Sequence, residues 1–264
     1  MAQISILGCG WMGLPLAESL IKKGFEVKGS TTSQDKVKIL TEKGIQPYLI
    51  SLTNNGANGN VEDFLKSCEI LIIDIPPKLR KENSESFVEK IKILIPFIES
   101  SGITKVIFTS STSVYNDDNS IVTEETIALP QTESGKQLLE VEKLLQNNTN
   151  LKTTVVRFGG LTGEDRQPGK FLAGKENLEN PEAPVNIIHQ QDCIGIIEKI
   201  IEKQAWGEIF NAVTPYHPSR REHYTKQAIA MKLPEPKFNS EKPSYGKTVS
   251  SKKIMTALGY QFKN

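Results

Sequence analysis

The segment that most restricts how this sequence can fold lies close to its start, where the letters ILGCGWMG follow a short apolar run. Gly8, Gly10 and Gly13 form a G-x-G-x-x-G pattern between a predicted strand at residues 3–8 and a predicted helix. Alone this pattern carries little information, but between a strand and a helix it indicates a loop that binds the phosphates of a dinucleotide. The alternative is a structural turn that binds no ligand.

Each glycine has a separate physical role in such a loop. The first allows a tight turn, the second lets the backbone approach a pyrophosphate, and the third lets the helix pack closely on the strand. The helix N-terminus then offers free N–H groups and a partial positive charge to the phosphates. We therefore predict that the whole loop contacts the cofactor: Gly8, Cys9, Gly10, Trp11, Met12 and Gly13.

Short apolar runs alternate with helical patterns through the first two-thirds of the chain. Residues 25–30, 45–52, 69–76, 105–111 and 151–160 have the composition of strands, and amphipathic stretches lie between most of them. This alternation predicts βαβ units and an α/β fold with a doubly wound parallel sheet, the Rossmann architecture.

Residues 161–184 interrupt the alternation with loop-forming residues and scattered charge, and the C-terminal tail is rich in Pro and Lys. We predict one dinucleotide-binding core made of residues 1–160 and 185–212. Residues 161–184 and 213–264 are predicted to form a smaller C-terminal substrate lobe.

The end of the second predicted strand bears on the type of cofactor. An Asp or Glu about 20 residues after the glycines would bind the ribose 2′-hydroxyl of NAD. Here Ser30, Thr31 and Thr32 stand at that place, Lys36 lies one helix turn further on, and Asp35 falls inside the next helix. These groups favour a 2′-phosphate, so we predict NADP rather than NAD. Alternatively, the hydroxyl groups only cap the helix.

Composition excludes several other classes of partner. The 264 residues carry a net charge of +1, which gives no general attraction for nucleic acid or an anionic membrane. No apolar run approaches the ~20 residues that a membrane span needs. Three cysteines in no paired arrangement favour a reducing, cytoplasmic location, and with the three histidines they show no metal-ligand spacing. We predict a small-molecule substrate, no metal, and a monomer or homodimer.

Several further motifs accompany the glycine loop. TSSTSVY, VVRFGGLTG, NIIHQQD and SSKKIMTALGYQF resemble segments of the extended and atypical short-chain dehydrogenase/reductases, the NAD-dependent epimerase/dehydratase superfamily. The similarity to the YeeZ-type branch runs over nearly the whole chain and includes GWMGLPLA and PGKFLAGK. This resemblance implies a Rossmann fold, a bound NAD(P), and a nucleotide-sugar or other phosphorylated substrate in the C-terminal lobe.

The resemblance also implies roles for individual residues. Ser111, four residues before Tyr115, matches the catalytic Ser or Thr that hydrogen-bonds the substrate oxygen in the family. Arg157 begins the sixth-strand motif and is assigned to the substrate, while His189 and Asp192 match a turn that supports the substrate lobe. The remaining matches would contact the cofactor: Ile75, Pro76 and Pro77 along the adenine-side ribose, and Phe158, Gly159 and Gly160 beside the nicotinamide.

The sequence departs from the family at the acid–base centre. Active members carry a Tyr–x–x–x–Lys pair, in which the lysine lowers the tyrosine pKa and binds the nicotinamide ribose. Lys136 is present here, but Thr132 stands in place of the tyrosine. A threonine hydroxyl is far less acidic than a phenol, which titrates near ~10, so Thr132 cannot replace it. The predicted catalytic positions are Ser111, Thr132 and Lys136, with Tyr115 as a further candidate acid.

Basic and aromatic residues of the predicted lobe are candidates for binding an anionic substrate. Arginine can contact phosphate through two N–H groups, and lysine acts as a point charge. Each could equally be a solvated surface charge, and Glu176, Glu179 and Glu182 lie in the same stretch. The candidates are Arg166, Lys170, Lys175, Tyr216, His217, Arg220 and Arg221, of which Tyr216 and His217 are also possible acids.

Two functions are compatible with these observations. One is an NADP-dependent oxidoreductase, epimerase or dehydratase with an altered acid–base centre. The other is a non-catalytic NADP-binding sensor or scaffold, which needs only the fold and the glycine loop.

Overall fold

The computed structural model describes residues 2–79 and 84–263 and confirms the predicted α/β architecture. Within these ranges the central sheet has seven parallel strands: β1 (Gln3–Leu7), β2 (Glu26–Thr31), β3 (Gln46–Leu49), β4 (Ile70–Ile73), β5 (Lys105–Ser111), β6 (Lys152–Phe158) and β7 (Ile209–Ala212). Their order across the sheet is β3-β2-β1-β4-β5-β6-β7. The chain therefore winds outward from β1 to β3 and then crosses to β4, which creates a switch point at the carboxyl ends of β1 and β4.

Helices cover both faces of this sheet. In the described part of the chain they are α1 (Gly13–Lys22), α2 (Gln34–Glu42), α3 (Val61–Leu65), α4 (Phe87–Ser101), α5 (Glu133–Gln146), α6 (Gly169–Leu172), α7 (Gln190–Lys203), α8 (Arg220–Ala230) and α9 (Lys252–Ala257). None of them is long and apolar enough to cross a membrane.

The strand sequences explain why the sheet is covered on both sides. Successive side chains of a strand point to opposite faces, so a strand that is apolar throughout must be buried twice. In β4, Leu71 and Ile73 enter the core beneath α4 and α5, whereas Ile70 and Ile72 enter the core beneath α1 and α7. All four side chains are buried, which matches the uninterrupted apolar run in the sequence.

The predicted third strand is shorter than its sequence pattern suggested. Residues 45–52 have the composition of one strand, but β3 ends at Leu49 and a separate antiparallel hairpin joins Ser51–Thr53 to Gly56–Asn58. Gly59 lies against the backbone of Leu49, where a Cβ atom would be only 2.1 Å from the carbonyl oxygen. After the hairpin, the chain therefore passes directly beside Leu49, the last residue of β3.

The segments after β6 extend the molecule beyond the carboxyl edge of the sheet. Gly160–Thr162 pairs in parallel with Ile187–His189, and α6 packs against α8. The tail returns to the core, where the Tyr260 hydroxyl donates to the buried Asp192 carboxylate at 2.8 Å. Asp192 thus anchors the C-terminal segment. The division into a core and a substrate lobe stays a prediction.

Candidate functional site

The glycine loop turns tightly because two of its glycines have no room for a side chain. Gly8 has a φ of +108°, and a Cβ atom there would lie 2.4 Å from the backbone oxygen of Asp74. A Cβ atom at Gly13 would lie 2.2 Å from the backbone oxygen of Gly8. The Gly8 N–H donates to Ser30 Oγ at 2.9 Å, and the Cys9 N–H donates to the Ser30 carbonyl at 2.7 Å. The loop is therefore fixed against both neighbouring strands.

Gly10 is the position at which a phosphate group can approach this loop. A Cβ atom there would meet no atom within 4 Å, so that side of the backbone is open. Helix α1 begins shortly afterwards, and its N-cap residue Met12 makes no side-chain cap hydrogen bond. An open glycine beside a helix N-terminus fits the pyrophosphate of a dinucleotide.

A cavity of about 270 Å³ lies beside the loop at the carboxyl ends of β1, β2 and β4. Apolar side chains form part of its lining and suit an adenine ring, while hydroxyl and ammonium groups form another part and suit a ribose and its phosphates. The lining includes apolar Ile50, Leu52, Ile75 and Phe87, and polar Thr32, Lys36, Lys78 and Lys90. The cavity thus fits the adenosine half of NAD(P), which would be held by these residues.

Two groups in this cavity were not anticipated. Lys78 lies one residue beyond the predicted segment 75–77 and lines the cavity, a position that no sequence pattern indicated. Asp74 follows the apolar strand β4 directly and also lines the cavity. It accepts a hydrogen bond from Thr109 Oγ1 at 3.0 Å and another from the Gly13 N–H. Burial raises the pKa of the Asp74 carboxyl to about 7.

The hydroxyl groups predicted to hold a 2′-phosphate differ in availability. Ser30 and Thr31 are buried, and Ser30 Oγ supports the glycine loop. Thr31 Oγ1 accepts the Ser33 N–H at 3.1 Å. Thr32 is exposed and lines the cavity. Ser30 and Thr31 therefore act on the protein's own backbone, and Thr32 with the lysines is left for the ligand. Burial also raises the pKa of the Cys9 thiol to about 12, so Cys9 stays a neutral thiol.

Trp11 and Arg166 meet on the outer side of the glycine loop. The Trp11 indole N–H donates to Asp165 Oδ1 at 2.8 Å, and the Arg166 guanidinium lies 5.2 Å from the centre of the indole ring. Arg166 was predicted to bind substrate, whereas the structure brings it to the cofactor loop.

The predicted catalytic residues lie on two elements that touch. Ser111 ends β5, and its Oγ accepts the Ser113 N–H at 3.1 Å. Thr132 is the N-cap of α5, and its Oγ1 accepts the Gly135 N–H at 3.1 Å. A Cβ atom at Gly135 would lie 2.4 Å from the Ser113 carbonyl oxygen, so the two segments pack closely. The next turn of α5 carries the exposed Lys136. The threonine at the family's tyrosine position therefore works as a helix cap.

Arg157 and Tyr115 are both buried away from solvent, which argues against their predicted roles. Arg157 forms an ion pair with the buried Glu142, with Nη2 2.6 Å from Oε2. Its Nη1 donates to the Tyr115 hydroxyl at 2.6 Å, and that hydroxyl also lies 2.9 Å from Asn211 Oδ1. Arg157 is only 4% exposed and is held by Glu142, so the prediction that it binds substrate is corrected to a structural role. Burial raises the pKa of Tyr115, which makes it a poor acid.

The segment predicted to pass beside the nicotinamide is tightly packed. Phe158 is buried at the end of β6, and a Cβ atom at Gly159 would lie 2.7 Å from the Asn186 carbonyl oxygen. The Gly160 N–H donates to the same carbonyl at 2.8 Å. Pro76 lines the cavity described above, whereas Pro77 is absent from its described lining.

The predicted substrate residues after β7 are spread over a loop and α8. Tyr216 is exposed and its hydroxyl donates to Glu222 at 3.3 Å. His217 Nδ1 lies 3.3 Å from the Val185 carbonyl, and burial lowers its pKa. Arg220 stacks on Tyr224, with 5.9 Å between the guanidinium carbon and the ring centre.

Lys170, which lies in α6, and Lys175, three residues after that helix, are exposed. Neither is among the described residues that line the two cavities flanking the glycine loop. The structure therefore does not gather all the basic residues of the predicted lobe at one place.

Comparison with known proteins agrees with the geometry of the loop and cavity. A family model described as NAD(P)H-binding matches residues 8–186. The protein YeeZ of Escherichia coli K12 is 34% identical over 265 residues, which cover 100% of this chain and 96% of YeeZ.

Solved structures share the fold at lower identity. The UDP-glucuronic acid 4-epimerase of Bacillus cereus, solved with NAD, superposes with a TM-score of 0.82 at 16% identity, covering 99% of this chain and 92% of that one. MoeE5, solved with UDP-glucuronic acid and NAD, gives 0.81 at 17% identity, covering 100% and 94%. These likenesses show the fold of epimerase-type enzymes and leave the substrate open. The match over residues 8–186 and the full-length similarity to YeeZ establish that the chain belongs to the NAD(P)H-binding family, and the superpositions add that it has the fold of epimerase-type enzymes.

Proposed function

We propose that this protein is an NADP(H)-binding enzyme of the epimerase/dehydratase type, with an altered acid–base centre and an anionic, nucleotide-sugar-like substrate. The observation that carries the cofactor assignment is the charge around the adenosine cavity. Lys36 and Lys78 line it together with the exposed Thr32, and Lys90, which also lines it, pairs with Glu85 at 2.7 Å. Asp74 is the only carboxylate among its described lining residues, and it is bonded to the protein's own groups. A 2′-phosphate therefore meets positive charge at this end of the cleft.

The other end of the cleft retains part of the family's machinery. A bound nicotinamide would accept or supply a hydride there. We expect Ser111 to hydrogen-bond a substrate oxygen and Lys136 to hold the nicotinamide ribose. Thr132 supplies no proton because its hydroxyl is weakly acidic and caps α5. Tyr115 is buried and bonded to Arg157, so proton transfer has to use a weaker donor such as water.

The proposed anionic substrate is supported by α8. Arg220 Nε, His223 Nε2 and Gln227 Oε1 are buried and, within the described residues, have no hydrogen-bond partner. Their spacing of three and four residues places them on one face of the helix. Gln227 faces Gly169, where a Cβ atom would be 2.4 Å from its side-chain oxygen. Buried polar groups without partners are costly, so a ligand that pairs with them would bind favourably.

Titration calorimetry with NADPH and NADH tests the cofactor assignment. We expect NADPH to bind more tightly, and Lys36→Ala or Lys78→Ala to weaken NADPH binding about tenfold, since a charge-assisted hydrogen bond contributes about 1.5–3 kcal/mol. NADH binding should change little. Lys38→Ala removes an exposed lysine of the same helix that is not among the described lining residues, and serves as the control. Tighter binding of NADH would refute the NADP assignment, and binding of neither would refute the function.

Binding of UDP and UDP-glucuronic acid to the NADP-loaded protein tests the substrate assignment. Arg220→Ala should weaken binding about tenfold or more. The neighbouring Arg221 is exposed and pairs with Glu182 at 3.1 Å, so Arg221→Ala is the matched control and should have no effect. Equal affinity of both variants and the unmodified protein would remove α8 from the site.

A non-catalytic sensor is the second candidate. The observation that favours it is the same engagement of Thr132 in capping and of Tyr115 in the Arg157 network. Single-turnover measurements separate the two functions. A sensor would bind NADPH and show no hydride transfer to any carbonyl or oxidised nucleotide-sugar, whereas an enzyme would show slow but stoichiometric oxidation of the bound NADPH.

A further inference from the structure

Trp11 ties the glycine loop to the loop that follows β6. Its indole N–H donates to Asp165 at 2.8 Å, and the Gln190 side-chain amide donates to its backbone carbonyl at 2.7 Å. The ring also lies against Gly163, where a Cβ atom would be 2.8 Å from the indole. The residue directly after the open Gly10 therefore contacts three positions of the later loop and of α7.

The segment that contacts Trp11 also carries Arg166 and positions its guanidinium on the Trp11 ring. Gly163 and Arg166 close a tight turn through two backbone hydrogen bonds, of 3.0 Å and 3.1 Å. The turn brings the guanidinium to 5.2 Å from the Trp11 ring centre, a cation–π contact. The guanidinium therefore lies beside the glycine loop, on the ring of the residue that follows Gly10.

The charge of Arg166 has no fixed counter-ion. Within residues 2–79 and 84–263 no carboxylate forms an ion pair with its guanidinium, in contrast to Arg157 and Arg221, although Asp165 is its neighbour in sequence. Asp165 is instead bonded to the Trp11 indole. An arginine held on an aromatic ring with free N–H groups is arranged to bind an anion.

We propose that Arg166, carried by Trp11, binds the pyrophosphate of the bound dinucleotide and so couples cofactor binding to the order of residues 163–175. The proposal deepens the dinucleotide binding described above and rests on it. In this arrangement the pyrophosphate approaches the open side of Gly10, one residue before Trp11. The guanidinium of Arg166 contacts the same pyrophosphate from residues 163–175, the segment that also contains Lys170 and Lys175. Cofactor binding would thereby order residues 163–175, which belong to the lobe where the substrate is expected to bind.

Fluorescence of Trp11 provides a direct readout. The chain has two tryptophans, so Trp206→Phe leaves Trp11 as the sole reporter. In this background we expect Arg166→Ala to weaken NADPH and NADH binding by the same factor, about tenfold. Adenosine 2′-monophosphate, which has no pyrophosphate, should bind equally well with and without Arg166. Arg221→Ala, an exposed arginine paired with Glu182, is the matched control and should change none of the three affinities.

Limited proteolysis tests the coupling. Phe171 is 69% exposed and lies in the segment that the proposal says becomes ordered. Chymotrypsin should cleave after Phe171 in the free protein, and NADPH should protect that bond at least severalfold. Protection measured at saturating NADPH should disappear in Arg166→Ala. Trp11→Phe keeps a ring beneath the arginine but loses the hydrogen bond to Asp165, so it should show intermediate protection.

The possible outcomes separate this proposal from the one on which it rests. If Arg166→Ala binds NADPH as tightly as the unmodified protein, or if its protection by NADPH persists, the coupling is refuted while dinucleotide binding stands. If adenosine 2′-monophosphate loses as much affinity as NADPH, Arg166 acts on the adenosine end or on the fold, and the pyrophosphate contact is refuted. If the unmodified protein binds no dinucleotide, both proposals fail together.

Discussion

The two ends of the cleft are built in different ways. The dinucleotide end is formed largely by backbone atoms. Gly8 and Gly13 pack so closely against other backbone atoms that neither position has room for a side chain, whereas Gly10 is open on one side. The acid–base end is formed by side chains, and those that could have reacted have other partners: Thr132 caps α5 and Tyr115 is bonded to Arg157. The difference supports our proposal of a protein that binds the cofactor and has an altered acid–base centre.

The largest effect is expected at the backbone end. In Gly10→Val the new side chain would extend into the open space where the pyrophosphate approaches, so binding of NADPH and NADH should fall more than about 100-fold. Because no atom beyond the two chain neighbours lies within 4 Å of the added Cβ position, the fold should tolerate the change. Titration calorimetry measures the loss, and a melting temperature close to that of the unmodified protein shows that the fold persists.

Gly13→Ala sharpens this test. Its Cβ atom would collide with the Gly8 carbonyl oxygen at 2.2 Å, so this variant should lose stability as well as binding. If Gly10→Val still binds NADPH with nearly full affinity, the dinucleotide does not approach the loop through Gly10. The description of the glycine loop as the dinucleotide-binding end of the cleft would then be refuted.

The same contrast explains how far the sequence could be interpreted. Glycine spacing and apolar runs report directly on backbone geometry, so the parallel sheet, the loop and its ligand class could be predicted. Arg157 was misassigned because its partner Glu142 lies in a different element, and pairing across the fold leaves no trace in a single sequence. Arg166 was predicted to bind the substrate because a single sequence does not show that its side chain contacts Trp11.

Two omissions have related causes. Asp74 falls inside the predicted strand at residues 69–76 and had no predicted role, and only its hydrogen bonds with Thr109 and Gly13 reveal a buried carboxyl at the cofactor loop. Helix α8 lies in a stretch where weak apolar patterning gave no helical signal, although Ser219 caps it by accepting the Glu222 N–H at 3.2 Å. In both cases tertiary contacts decided what local sequence left undetermined.

The acid–base end can be tested by restoring the missing phenol. General acid–base catalysis typically contributes about 10²–10⁴-fold, so carbonyl reduction by the unmodified protein should be slower than in active relatives by a factor of this order. Thr132→Tyr places a phenol one helix turn before Lys136 and should raise NADPH-dependent reduction of a carbonyl panel by at least about tenfold. The readout is the absorbance of reduced nicotinamide.

The helix cap makes a matched control available for this experiment. Thr132→Tyr also removes the hydrogen bond from the Gly135 N–H, which should cost about 1 kcal/mol of stability. Thr132→Ala removes the same cap and adds no phenol, so it should show the stability loss without any gain in rate. A rate already ordinary for enzymes in the unmodified protein, roughly 1–10³ per second, would mean that another residue serves as the acid.

The smallest expected effect concerns the charge of Asp74 beneath the cofactor loop. Its pKa is raised to about 7 by burial, so the folded protein keeps the carboxyl largely protonated at pH 6 and ionised at pH 8. An ionised carboxylate would repel the pyrophosphate across the loop. Affinity for the dinucleotide should therefore be highest below pH 7 and fall about threefold to tenfold as the pH rises from 6 to 8, a change of about 1 kcal/mol.

NADH is the appropriate ligand for this measurement, because the 2′-phosphate of NADPH carries an ionisation of its own near this range. The two cysteines whose thiols interact with Asp74 stay neutral between pH 6 and 8, because burial raises the pKa of Cys9 to about 12 and that of Cys193 well above its usual value. Asp74→Asn keeps an acceptor for the Thr109 hydroxyl and removes the ionisation, so its affinity for NADH should not vary over this range. Asp35→Asn removes an exposed carboxylate of α2 and should retain the full dependence. A pH dependence that survives in Asp74→Asn would assign the effect to another group and leave Asp74 as a purely structural support of the loop.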